Sequence, residues 1–87
     1  MVKKSILHYP TLRTVLAVEK VLKEAELVLS KEEIKRRLPM KIMHQTLSLI
    51  LDYLEDRGMI LQGNKGALWV YASREELEKL KTGGARV

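Results

Sequence analysis

Residues 27–71 read LVLSKEEIKRRLPMKIMHQTLSLILDYLEDRGMILQGNKGALWVY, and the order of local signals in this stretch decides the fold. Leu27, Val28 and Leu29 form a short apolar run of strand type. Ser30-Lys31-Glu32-Glu33 is a capping box, in which the Ser30 hydroxyl accepts from the Glu33 amide while Glu33 reaches back to the Ser30 amide. It predicts a helix over Lys31 to Leu38 with Ile34 and Leu38 on its inner side, interrupted by Pro39. The spacing of Met43, Leu47, Ile50, Leu51 and Leu54 predicts a longer helix from Lys41 to Arg57. Gly58 then stands where a helix needs a left-handed residue to end. Met59 to Leu61 and Ala67 to Ala72 read as antiparallel strands, joined by a hairpin through Gly63-Asn64-Lys65-Gly66.

Upstream, a helix is expected from Thr11 to Ala25, with Leu12, Val15, Val18, Leu22 and Ala25 as its core-facing stripe. Ala17 and Val21 are placed off that stripe. Either they are tolerated on a surface, or a second subunit covers them. Downstream, Ser73-Arg74-Glu75-Glu76 is a second capping box. It opens a last helix to about Lys81 with Leu77 and Leu80 facing inward. The organisation expected is a lead-in over residues 1–10, one domain over 11–81 and a flexible tail over 82–87. There are no internal repeats.

Composition bounds the function. The 87 residues suffice for one domain, and 46% of them are apolar, enough for a core. No cysteine is present, which excludes a disulfide framework and a cysteine-based zinc site. His8 and His44 lie far apart without ligand spacing, so no metal is expected, and nothing suggests a cofactor or small-molecule ligand. No apolar run is long enough to span a membrane, and the amino terminus lacks a signal-peptide pattern, so a soluble cytoplasmic protein is expected. The net charge of +5 suits a polyanionic partner. No nucleophile with an adjacent histidine, phosphate-binding loop or paired carboxylates stands out, so no catalytic residues and no enzyme are expected. Gly63-Asn64-Lys65-Gly66 fails as a phosphate loop because it joins two strands.

Two helices joined at Pro39, followed by Gly58-Met59-Ile60 and a hairpin, resemble the winged helix-turn-helix family over nearly the whole chain. The matching pattern is Ser30-Lys31-Glu32-Glu33-Ile34, then Gln45-Thr46-Leu47-Ser48, then Leu54 to Ile60. The resemblance implies a mostly α fold with a small β-hairpin (α+β): a three-helix core, a wing at residues 62–66 and a C-terminal helix. The link from Leu38 to Leu47 is slightly longer than in the tightest members, so either the turn is loose or the third helix begins early. The architecture serves DNA regulators, RNA-binding factors and protein-interaction modules.

In that family the amino-terminal half of the third helix enters the major groove of double-stranded DNA. The resemblance therefore implies base readout by Lys41, His44, Gln45 and Ser48, with Gln45 able to pair bidentately with adenine. Backbone contacts are implied for Ser30, Lys31, Lys35, Arg36 and Arg37 and, at the wing tip, for Asn64 and Lys65. Ile42, Leu49 and Asp52 sit awkwardly on a groove-facing surface, since Asp52 repels phosphate and the two apolar residues equally suit a protein. Trp69 and Tyr71 alternate with Leu68 and Val70, making both strand faces apolar; packing explains Trp69 more simply than ligand stacking. A transcription regulator is expected, working as a homodimer through Ile6, Leu7, Tyr9, Ala17 and Val21. The alternative is an assembly module that contacts protein through Ile42 and Leu49 and has no sequence-specific DNA binding.

Overall fold

The computed structural model describes residues 9–72 and 74–80. It is mostly helical with one two-stranded antiparallel sheet, in the order α1 (Leu12–Ala25), α2 (Lys31–Arg37), α3 (His44–Asp56), β1 (Ile60–Gly63), β2 (Gly66–Trp69) and α4 (Arg74–Lys79). No helix among the described residues is long and apolar enough to cross a membrane. The lead-in residues Ile6 and Leu7, the cap residue Ser73 and the tail fall outside the described residues.

Thr11 starts α1 by accepting from the Thr14 amide at 3.2 Å. The capping box of α2 has both bonds, Glu33 amide to Ser30 Oγ at 3.1 Å and Ser30 amide to Glu33 Oε1 at 2.8 Å. Leu38 ends α2 in an extended conformation, as a residue before proline must. The far end of α3 is a Schellman closure: Gly58, at φ 78°, donates to the Glu55 carbonyl and Met59 to that of Leu54.

These elements enclose Val18 and Leu22 of α1, Leu29, Ile34 and Leu38, Leu47, Ile50, Leu51 and Leu54 of α3, and Ile60 and Ala67 of the sheet. The hairpin pairs Ile60 with Trp69, Leu61 with Leu68, Gln62 with Ala67 and Gly63 with Gly66. Leu29 adds one bridge to the β2 side, exchanging two 2.9 Å backbone bonds with Ala67. The strand expected over residues 27–29 shrinks to that bridge, with Leu27 and Val28 exposed.

Several expected faces are corrected. On α1 the buried arc centres on Val18. At about 100° per residue Val21 lies only about 60° from it, whereas Leu12 lies about 120° away on the other side. Ala17 and Val21 accordingly pack against the core, and Leu12 is 72% exposed. The third helix begins at His44 rather than Lys41. Residues 41–43 carry no regular secondary structure, with Met43 extended, and Met40 and Ile42 pack against the core while Lys41 and Met43 are exposed. Met43 is thus an exposed residue and not part of the buried arc. Leu77 and Leu80 of the last helical segment, expected inside, are 53% and 64% exposed. Strand β2 stops at Trp69, after which the Val70 and Tyr71 amides both donate to the Met59 carbonyl.

Candidate nucleic-acid interface

The basic side chains are set out by α2, by the link before α3 and by the hairpin tip. Ile34 anchors α2 to the core, which leaves Lys31 and Lys35 half-buried at its flanks and Arg36 and Arg37 exposed. Ser30 is committed to the cap, and its amide, then its hydroxyl, with Arg36 and Arg37 behind, hold the Glu33 carboxyl below its ordinary value. Ser30 is therefore first a structural residue of this surface.

Two shallow grooves lie beside α2. The first is lined by Ser30, Lys31 and Glu32, by residues 62–67 of the hairpin, Gln62 and Lys65 among them, and by Leu51. The second is bounded by Glu32, Lys35 and Arg36 and by Pro39, Met40, Lys41 and Ile42. Glu32 lines both, so the two grooves adjoin at that residue, with Lys31 and Lys65 on the first and Lys35, Arg36 and Lys41 on the second. None of these five is ion-paired among the described residues, whereas Lys20 on α1 pairs with Glu24 at 3.7 Å.

The late start of α3 changes what that helix presents. Lys41 leaves the helix and borders the second groove, and it also lines a shallow cleft with Tyr9, Thr11, Thr14, Met43 and Thr46. Met43, the residue preceding α3, offers no side-chain cap. The first-turn amides of α3 therefore have no side-chain acceptor from the cap residue, beside exposed His44 and Gln45. Ser48, one turn further on, is half-buried. The apolar pair that raised the alternative of a protein-binding helix face is not an exposed pair: Ile42 packs on the core and Leu49 is half-buried.

Asp52 has a partner that sequence reasoning missed. The Gln62 side-chain amide donates to Asp52 Oδ1 at 3.1 Å and to Glu55 Oε1 at 2.9 Å, and the Gln62 backbone amide donates to Glu55 Oε2 at 3.3 Å. The only sequence signal was a polar residue inside an apolar strand run. On the other hairpin strand Trp69 half-buries itself against the core, under Lys23 Nζ at 6.0 Å and edge-on to Tyr71 at 6.2 Å. That arrangement is packing. Among the described residues no group of His, Cys, Asp or Glu could hold a metal. Comparison with family models, with curated proteins and with solved structures finds no match.

Proposed function

We propose that this chain is a winged helix-turn-helix domain that binds double-stranded DNA as a homodimer, in the role of a transcription regulator. One observation carries the reading. Five cations without ion-pair partners among the described residues, drawn from α2, the link and the hairpin tip, border two grooves that share Glu32. A duplex backbone is a rod of closely spaced negative charge, and a cationic surface of this kind suits it. The start of α3, with Gln45 and His44 exposed, supplies hydrogen-bonding groups for base edges. Lys41 moves in this reading from base readout to the phosphate backbone, because it stands outside the helix.

Roles separate by substitution. Gln45→Ala should cost about 1–3 kcal/mol on the best duplex only and relax sequence preference, since it removes a base contact. Lys65→Ala should weaken all duplexes alike and lower the salt slope by about one. Selection of bound sequences from random duplexes, repeated with each variant, checks this. Equal effects of both changes on selected and random DNA would contradict the assignment of Gln45.

A further inference from the structure

The hairpin is fastened on both sides at the same level of its ladder. On the β1 side Gln62 makes its three bonds to Asp52 and Glu55 of α3. On the β2 side its cross-strand partner Ala67 exchanges two backbone bonds with Leu29. Beyond this braced pair only Gly63, Asn64, Lys65 and Gly66 project. Lys65, at the turn, is exposed.

Asp52 and Glu55 stand three residues apart on α3, a spacing at which like charges repel. A shared amide donor between them offsets that repulsion, and hydrogen bonds to ionised acceptors are the stronger kind. Gln62 thus turns two carboxylates, otherwise a liability beside a phosphate backbone, into the socket of the arm. We propose that Gln62 is a positioning residue: by bonding Asp52 and Glu55 it holds the hairpin at one angle to α3 and so delivers Lys65 to a single phosphate at a set distance from the start of that helix. The inference rests on the DNA-binding reading. It adds that the grip of the arm depends on a side chain held by α3, Gln62, which also lines the first groove.

The test is a double-mutant cycle on the full chain, Gln62→Met with Lys65→Ala, read by anisotropy with a labelled duplex. Methionine keeps the bulk of glutamine and removes its donor. Each single change should weaken binding several-fold and lower the salt slope by the same amount, and the double variant should bind no worse than Lys65→Ala alone. Additive losses, or a Gln62→Met slope equal to wild type, would overturn the proposal. Amide hydrogen exchange without DNA supplies the second arm. The hairpin-tip amides should exchange at least about tenfold faster in Gln62→Met while the α1 core amides keep their protection. Unchanged tip exchange also overturns the brace. A wild-type chain that binds no duplex would instead remove the DNA-binding reading, and the exchange data would still judge the brace separately.

Discussion

Gly66 is the residue whose freedom the structure uses most fully. It sits at φ 138°, and a Cβ built there would lie 2.1 Å from the Leu29 carbonyl oxygen, a backbone atom that cannot step aside. Gly63 has nothing within 4 Å of such a Cβ and no positive φ. Gly66→Ala should therefore cost about 1–3 kcal/mol or more, while Gly63→Ala stays within about 0.5 kcal/mol. Thermal melts check the pair, and equal melting temperatures would show that the Leu29 approach is not tight. The sequence marked both glycines and Asn64 as turn residues, and the hairpin forms where they predicted. Yet Asn64 and Lys65 have no positive φ. Only one glycine is required at the hairpin, for the close approach of a segment some forty residues away in the chain. Local turn chemistry could not disclose that contact, nor the bonds from Gln62 to α3.

At the scale of elements, the helix ends were legible where a side chain or a glycine makes them. Ser30 with Glu33 and Gly58 with Met59 act as their types dictate. The start of α3 was not legible, because Lys41 to Met43 holds no Ser, Thr, Asp or Asn to mark a cap. The apolar spacing there fits a strand-like alternation as well as a helix. The α2 cap also sets an acid response. Glu33 has its carboxyl lowered in the fold by the Ser30 amide and hydroxyl, from an ordinary value of 4.5. A depressed carboxyl contributes stability that is fully present above that value and is lost as pH falls through the lowered folded value. Glu33→Gln keeps an acceptor for the Ser30 amide but cannot titrate. Wild type should therefore be the more stable of the two at neutral pH and lose its advantage on acidification below about 4.5. Urea melts of both proteins from neutral to acid pH check it; a constant difference would contradict the role of the Glu33 charge.

At the scale of the molecule, Tyr9 stays available to a second copy as the sequence reading expected, Ile6 and Leu7 fall outside the described residues, and Ala17 and Val21 change. Ala17 and Val21 belong to the protein's own core rim. Tyr9 before α1 and Leu12 and Leu16 on it are exposed, as are Leu77 and Leu80 near the other end of the chain. An exposed set of this kind suits a two-fold interface, in which the same patch serves both partners and spaces two reading helices along a duplex. Leu16→Glu should turn a dimer into a folded monomer with weakened duplex binding, whereas Val21→Glu should lower the melting temperature. Sedimentation at tens of micromolar decides between them. A wild-type monomer would refute the dimer while leaving the proposal of duplex binding by a single domain standing.

The central claim is that the two grooves meeting at Glu32 receive a duplex backbone, and salt tests it most directly. Lys31, Lys35, Arg36, Lys41 and Lys65 border those grooves without ion-pair partners among the described residues. If they neutralise phosphates, the affinity for a labelled duplex should fall by about two to three orders of magnitude per protomer between about 50 and 200 mM salt. The log–log slope should be about −3 to −5 per protomer. Anisotropy titrations across that range should give such a slope for random and selected duplexes alike. No detectable binding at the lowest salt, or binding that does not change with salt, would contradict the account.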